Sequence, residues 1–375
     1  MKASIEEQRV QLMETGYVMC RGMIPPDELQ RLRQSVDRIV ERPPEPESRV
    51  DLTEWVDRET ADAVEFFLDE RTLGFSCQLM DVAEAEPLGT WVLCKSGTGW
   101  HRDVHPIDMA PLDGLQEDLR LNGPPYLQWH IALYDDSFLH VIPGSHWRRN
   151  NDEERKIERR MGVVPLPGQT VVDMKAGDGV VLINNLLHAA EPNGDIKRRT
   201  FHMGYQAFGN KGFTHYHADS MGVDFIEHLS PSCAEQCRQF ERLHSQKNDQ
   251  IADTFRAIVD GDGTAFLEAF GKLHPSEHAR MTSVIVLSKI AYKIRKYKDS
   301  DDDDYRNTTA VQNLAARFSA EELDRLKERF AALEDELTAD EEQYESLFQN
   351  REMKYYFYEM PENFGIDDLI ASWDR

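Results

Sequence analysis

The sequence predicts an α+β protein in which a strand-rich core lies between two helical regions. Short β-type runs bounded by Gly, Pro, Asn and Asp fill the middle of the chain, and apolar residues recur at helical spacing on either side. No helical pattern alternates with the central runs, which favours an antiparallel sandwich or barrel over a parallel βαβ sheet. We expect a core over residues 1–225, helical over 1–75 and strand-rich over 76–225, with an acidic helical extension over 226–375 packed on it.

The N-terminal region is predicted to contain a short strand followed by a helix. Residues 16–19, Gly-Tyr-Val-Met, are typical of a strand, and Pro25-Pro26-Asp27 is typical of a helix start. The apolar face of that helix consists of Leu29, Leu32, Val36 and Ile39. The predicted central strands are Thr90–Cys94, Leu127–Leu133, Leu139–Ile142, Thr170–Val172, Val180–Ile183 and Thr200–Phe208.

The C-terminal region is predicted to be helical and acidic. Apolar residues recur at the spacing of one helix face within a highly charged segment, and such a face must be buried. We expect it to pack within its own chain rather than against a second copy. The face consists of Leu323, Leu326, Phe330 and Leu333.

Charge and cysteine content limit the classes of partner. The 375 residues carry 43 Lys and Arg against 68 Asp and Glu, and the net charge of −25 disfavours binding to nucleic acid or membranes. No segment has the ~18 consecutive apolar residues of a membrane-spanning helix, and the first residues lack an apolar signal sequence. Five cysteines without a disulfide pattern are typical of a reducing compartment. We therefore expect a cytoplasmic protein that acts on a small molecule, with self-association left open.

Residues 101–103, His-Arg-Asp, are the first candidates for chemistry. Alternate residues of a strand share a face, so His101 and Asp103 would point to the same side. One imidazole and one carboxylate are two-thirds of the triad that binds Fe(II) and leaves positions open for a co-substrate and O2. A His-x-Asp pair also occurs by chance in surface turns, so a third ligand is required.

His188 is the candidate for that third ligand because of its place in the sequence. It ends an apolar run that follows the turn Gly177-Asp178-Gly179, as expected for a strand that delivers one histidine. Arg199 follows eleven residues later at the start of another strand, where a guanidinium could bind a dicarboxylate co-substrate. Taken alone, Arg199 would be better explained as an ordinary surface base beside Lys197 and Arg198.

Together these motifs resemble the phytanoyl-CoA dioxygenase family of Fe(II)/2-oxoglutarate-dependent oxygenases. The resemblance spans residues 10–208 and implies a double-stranded β-helix, that is, a jelly-roll, cupin-like core with N-terminal helices and a helical C-terminal extension. The matching segments are Glu14-Thr15-Gly16-Tyr17-Val18, Pro25-Pro26-Asp27-Glu28-Leu29, His101-Arg102-Asp103, Val141-Ile142-Pro143-Gly144-Ser145-His146, and His188 with Asn193 and Arg199.

The resemblance also implies roles for individual residues. Arg199 would bind the distal carboxylate of 2-oxoglutarate, and Arg198 is the competing candidate, since strand alternation lets only one of the two face the pocket. Gln128 and His130 share a strand face and are expected near 2-oxoglutarate. The implied ligands of Fe(II) are His101, Asp103 and His188.

The implied activity is hydroxylation of an unactivated C–H bond in a small or medium polar metabolite, with O2 consumed and succinate and CO2 released. Lys95 and His105 flank the metal motif and are expected to contact substrate, although a surface lysine and a loop histidine would explain them equally well. Residues 104–125 are expected to form part of a lid. The alternative is a catalytically silent jelly-roll protein that binds a partner through its acidic helical region.

Overall fold

The structure is a computed structural model that describes residues 4–45, 47–103, 110–157, 163–209, 211–216, 221–299, 309–337 and 359–374. The chain divides into two compact units. The first comprises Met1–Asp103, Tyr126–Ala207 and Met221–Phe240, and the second comprises Val104–Pro125, Phe208–Ser220 and Glu241–Arg375. Residues 104–125 and 208–220, which the sequence prediction assigned to the core, are thus part of the second unit. Packing of the helical region on the core stays a prediction.

The described strands lie in the first unit, apart from Phe208 at the end of β10, and form two sheets. They are β1 Tyr17–Cys20, β2 Arg49–Asp51, β3 Glu84–Leu93, β4 Thr98–His101, β5 Tyr126–Ala132, β6 Leu139–Val141, β7 Thr170–Val171, β8 Gly179–Ile183, β9 His188–Ala190 and β10 Thr200–Phe208. One sheet has six strands in the order β1-β8-β5-β10-β3-β2, and the other has four in the order β4-β9-β6-β7. The described pairings are antiparallel, so the prediction of an α+β protein with antiparallel sheets is confirmed.

The two faces of the six-stranded sheet have different neighbours. On one face, Trp129 donates a hydrogen bond to the Ser76 hydroxyl (2.9 Å) and Phe201 packs on Phe66 (ring centroids 5.6 Å apart), so helical segments cover it. On the other face of the larger sheet, a buried apolar cluster joins it to the smaller sheet. We call this face of the larger sheet the inner face. The cluster includes Ala132, Val180 and Leu182 of the larger sheet and Leu139 and Val141 of the smaller.

The helices follow the pattern of apolar residues that the sequence shows. The predicted apolar face of α2, Leu29, Leu32, Val36 and Ile39, is buried. Among the described residues, no helix is both long and apolar enough to cross a bilayer. The helices are α1 Ile5–Thr15, α2 Pro26–Val40, α3 Leu52–Trp55, α4 Asp62–Glu65, α5 Phe75–Met80, α6 Leu112–Asn122, α7 Asp152–Ile157, α8 Pro231–Asp260, α9 Gly263–Leu273, α10 Arg280–Asp299, α11 Thr309–Ala315, α12 Ala320–Glu336 and α13 Ile366–Ser372.

The second unit has its own apolar core around α10. Residues 284–287 of α10, Val-Ile-Val-Leu, are fully buried, as expected for a helical turn that is apolar on all sides. The apolar face predicted in the C-terminal region lies on α12 and is buried in the same cluster. Ser319 caps α12 together with Glu322 in a capping box, which fixes where the helix begins. The face of α12 is therefore covered within the second unit itself.

Candidate metal centre

Two paired strands bring the predicted metal ligands together in the first unit. His101 at the end of β4 lies directly opposite His188 at the start of β9, and their ring centroids are 4.3 Å apart. Asp103 follows two residues after His101, so its side chain returns to the same face. Its Oδ1 lies 3.4 Å from the Nε2 of His101, and its Oδ2 lies 3.4 Å from the Nε2 of His188. The three ligand atoms all lie within 4.8 Å of one another.

Backbone carbonyls fix both imidazole rings. The Nδ1 of His101 lies 2.7 Å from the carbonyl oxygen of Gly99, and the Nδ1 of His188 lies 2.8 Å from that of Leu186. A carbonyl can only accept, so each Nδ1 donates and each Nε2 carries its lone pair toward the shared space. Metal-binding histidines are usually oriented by such a bond.

The charge of the site suits a divalent cation. Burial lowers the pKa of His101, and the neighbouring His188 lowers it further, so the imidazole is held neutral. The Asp103 carboxylate supplies one negative charge. The backbone N–H of Asp103 donates a hydrogen bond to the carbonyl of Asn184 (2.9 Å), which holds this residue beside the segment that leads to His188. Two imidazoles and one carboxylate are the donor set of the facial triad that non-haem Fe(II) oxygenases use. The residues present therefore fit an Fe(II) ion.

Arg102, between two of these ligands, points to the opposite face and holds the strand in place. Its side chain is buried and donates to the side-chain oxygen of Asn150 (2.9 and 2.6 Å). It also donates to the carbonyls of Ser145 (2.9 Å) and Asn185 (2.6 Å). It thereby ties β4 to the turn after β6 and to the segment that precedes His188. The sequence analysis assigned no role to Arg102, although the alternation of side chains along a strand predicts that it points to the face opposite His101 and Asp103.

The histidine of the Pro-Gly-Ser-His turn does not join the ligands. The Nε2 of His146 lies 3.0 Å from the carbonyl of Met13 in α1, and the N–H of Gly144 donates to the carbonyl of Thr15 (2.9 Å). The turn therefore satisfies carbonyls that the end of α1 leaves without a helical partner. This position agrees with a structural role for His146.

Gln128 and His130 lie together on the inner face of the larger sheet, and the structure adds His202 to them. The Gln128 amide donates to the Nε2 of His202 (2.8 Å), and the rings of His130 and His202 have centroids 4.8 Å apart. Burial lowers the pKa of His202 to about 4, and the charges of Asp103 and His188 also act on its pKa. His130 pairs with Val180, which shares a buried cluster with Val141, the strand partner of His188, so the two histidines lie on the face that is turned toward the candidate metal ligands. The sequence did not single out His202, because its contact with Gln128, 74 residues away, depends on the pairing of two distant strands.

The two adjacent arginines lie on opposite faces of the larger sheet. Arg199 donates to Asp37 of α2 (3.0 Å), so it belongs to the helix-covered face. Arg198 pairs with Asp136 (2.8 Å), and both side chains are at most 2% exposed. Thr200 donates to the same carboxylate oxygen (2.5 Å) and shares the inner face with His202. The structure therefore brings Arg198, and not Arg199, to the face of His130 and His202.

The guanidinium of Arg198 has an unused donor. Its Nε is taken by Asp136 and its Nη1 approaches the carbonyl of Lys95 (3.4 Å), whereas its buried Nη2 has no hydrogen-bond partner among the described residues. Burial lowers the pKa values of both His130 and His202, and the charge of Arg198, on the same face of the sheet, lowers them further. A buried donor without an acceptor is uncommon and suggests that a ligand supplies one.

Of the two substrate candidates, the structure describes only Lys95. The side chain of Lys95 is exposed, and it is the backbone carbonyl that meets Arg198. His105 lies outside the described residues. Of the expected lid, residues 104–109 also lie outside them, and residues 112–122 form helix α6 of the second unit.

Comparison with known proteins finds resemblance at the level of structure only. No protein-family model and no curated protein matches the sequence. One similar structure is HygX from Streptomyces hygroscopicus with iron bound, at 18% identity and a TM-score of 0.42, covering 56% of this chain and 89% of that one. EctD from S. alaskensis with 2-oxoglutarate and 5-hydroxyectoine matches at 15% identity and 0.40, covering 55% and 78%. SnoK, a carbocyclase of nogalamycin biosynthesis, matches at 19% and 0.40, covering 61% and 92%. Similarity this low identifies no family, and the phytanoyl-CoA dioxygenase resemblance stays a prediction.

Proposed function

We propose that this protein is an Fe(II)- and 2-oxoglutarate-dependent dioxygenase that hydroxylates an unactivated C–H bond of a small or medium polar metabolite and releases succinate and CO2. The observation that carries the proposal is the convergence of His101, Asp103 and His188, whose ligand atoms lie within 4.8 Å of one another. The two antiparallel sheets joined by a shared apolar cluster support a jelly-roll core.

His101, Asp103 and His188 would hold Fe(II) through two Nε2 atoms and one carboxylate. When bound, Fe(II) and 2-oxoglutarate supply the oxidation of the C–H bond by O2. The chain's own contribution is orientation: Gly99 and Leu186 fix the imidazole rings, and Arg102 fixes the strand between the ligands. A triad that covers one side of the ion leaves the remaining positions for the co-substrate and O2.

Arg198 is the residue to which we assign the distal carboxylate of 2-oxoglutarate, in place of Arg199. Its guanidinium is buried on the inner face, and its Nη2 donor has no acceptor in the part of the chain that the structure describes. A carboxylate would supply that acceptor in a charge-assisted bond, which is stronger than a neutral one. Asp136 and Thr200 hold the other edge of the guanidinium in a fixed orientation. Gln128 and His130, on the same face, would lie beside the co-substrate.

Release of succinate tests this function. Protein supplied with Fe(II), 2-oxoglutarate and O2 should form succinate, and a panel of candidate substrates should accelerate it. Asp103→Asn, which keeps the size of the side chain but removes its charge, should form none. Succinate formation that is equal in the wild type and in this variant would contradict the proposal. No turnover with any substrate, together with undetectable iron binding, would favour the catalytically silent binding protein instead.

A further inference from the structure

Four side chains from four neighbouring strands form a row across the inner face of the larger sheet. The guanidinium carbon of Arg49 on β2 lies 4.2 Å from the ring centroid of Trp91 on β3. The Trp91 ring stacks with His202 of β10 at 5.9 Å with an interplanar angle of 30°, and His202 meets His130 of β5 at 4.8 Å. We call Arg49, Trp91, His202 and His130 the inner row.

One end of the inner row lies near the candidate metal centre. Val180, the strand partner of His130, packs in the same buried cluster as Val141, the strand partner of His188. The other end is Arg49, whose side chain is exposed at the edge strand of the sheet. Neighbouring strands are about 4.8 Å apart, so three steps place β2 about 14 Å from β5. The row therefore leads from the candidate metal centre to an exposed cation.

Arg49 is a cation without an anionic partner in the described part of the chain. No described carboxylate forms a salt bridge with it, although the protein carries a net charge of −25. Asp51, two residues away on the same strand face, is engaged by the N–H and hydroxyl of Thr53 (2.9 and 2.8 Å) and by Thr90 (3.2 Å). The Trp91 ring fixes the flat face of the guanidinium by a cation–π contact and leaves its N–H edge to a ligand.

The edge of a guanidinium binds planar carboxylates and phosphates in a bidentate manner. The imidazole and indole rings between Arg49 and the metal ligands offer aromatic surface for the body of a molecule. We infer that the inner row binds the substrate of the proposed oxygenase, and that Arg49 binds a carboxylate or phosphate group at the end remote from the reacting carbon. The substrate class is thus an organic anion whose charged group lies on the order of 10 Å from the C–H bond that reacts. The identification of the bound anion as the substrate rests on the proposed function. The existence of an anion-binding site at Arg49 does not.

Small aromatic probes test the anion site directly. Benzoate, phenyl phosphate and the neutral benzyl alcohol are titrated into the full-length protein under anaerobic conditions, with and without Fe(II) and equimolar 2-oxoglutarate, and binding is followed by ligand-observed NMR. Arg49→Gln removes one positive charge at the row. Arg238→Gln is the matched control, because Arg238 is an exposed arginine of α8 that pairs with Glu235 (3.2 Å), and its loss changes the net charge equally.

We expect at least one anion to bind the wild type and Arg238→Gln alike, and to bind Arg49→Gln at least tenfold more weakly. Benzyl alcohol should be insensitive to Arg49→Gln. Tighter binding of benzoate assigns a carboxylate, and tighter binding of phenyl phosphate assigns a phosphate. Equal anion binding by the wild type and Arg49→Gln would overturn the inference, as would a wild type that binds neither anion better than benzyl alcohol. If the same samples bind no Fe(II) but retain Arg49-dependent anion binding, the oxygenase proposal fails and the anion site stands.

Discussion

His101 and His188 face each other across β4 and β9, and each ring is fixed in the same way by its own backbone. The Nδ1 of each lies within 2.8 Å of the carbonyl two residues earlier in the chain, that of Gly99 or Leu186. Because the Nδ1 atoms are engaged, both Nε2 atoms are turned toward Asp103. This repeated arrangement orients two ligands before any ion arrives, which lowers the entropic cost of binding one.

Loss of a metal ligand should remove iron and leave the fold intact. His188→Ala should lower Fe(II) affinity by roughly 100-fold or more, because the loss of even an outer partner of a ligand costs about 10–100-fold. Equilibrium dialysis against Fe(II) under anaerobic conditions measures this. His228→Ala is the control, since His228 contacts Glu227 (3.8 Å) and does not belong to the group of three ligands. Equal loss in the two variants would show that the ligand assignment is wrong.

The two adjacent arginines should differ in their effect on the co-substrate. Arg198→Gln should raise the concentration of 2-oxoglutarate needed for half-maximal succinate release by roughly 100-fold or more, because breaking a buried ion pair costs about 3–5 kcal/mol. Arg199→Gln should change it little, since it removes only a partly exposed pair with Asp37, worth about 1 kcal/mol of folding stability or less. The opposite ranking would restore Arg199 as the co-substrate residue.

Arg102 should act as a positioning residue for the metal ligands. Arg102→Met should lower the free energy of unfolding by on the order of 3 kcal/mol, because it leaves several buried acceptors without a donor. It should also weaken Fe(II) binding, and Arg102→Lys should recover part of that affinity. Urea unfolding and metal dialysis are measured on the same samples. A variant that is less stable but binds Fe(II) with unchanged affinity would show that Arg102 serves only the fold.

The second unit should lose stability in acid through His274. Burial lowers the pKa of His274 to about 4 from 6.5, and its Nδ1 accepts hydrogen bonds from the Phe213 N–H (2.8 Å) and the Ser283 hydroxyl (2.6 Å). The unfolded state therefore binds the proton more tightly, so stability falls as the pH falls from 6.5 to 4, by on the order of 3 kcal/mol. Urea unfolding at a series of pH values should show a smaller decline in His274→Asn. An equal decline in both proteins would refute this role.

Local sequence patterns predicted the features that depend on neighbouring residues. Alternation within β5 and β10 and the helical spacing in α2 are local, and these elements appear where expected. The His-x-Asp spacing likewise placed His101 and Asp103 on one side. The spacing of Arg198 and Arg199 did not settle which of them faces inward, because alternation gives two faces but not their orientation. That orientation follows from Asp136, which is 62 residues away from Arg198 in the sequence.

Other features could not be predicted because their contacts join distant segments. Arg102 finds its acceptors 43 to 83 residues away, and the contact of Arg49 with Trp91 requires β2 to pair with β3. The local sequence of residues 104–125 likewise does not indicate that this segment belongs to the same unit as the C-terminal helices. Such placement depends on tertiary packing, which overrides local propensity.

Anaerobic addition of Fe(II) and 2-oxoglutarate is the most direct test of the central claim. If the three ligands hold Fe(II) and Arg198 orients 2-oxoglutarate on it, the mixture should develop a visible metal-to-ligand charge-transfer band that saturates at one Fe(II) per chain. The band should be absent in Asp103→Asn and should require far more 2-oxoglutarate in Arg198→Gln than in Arg199→Gln. A wild-type protein that binds Fe(II) but shows no such band at saturating 2-oxoglutarate would contradict the account.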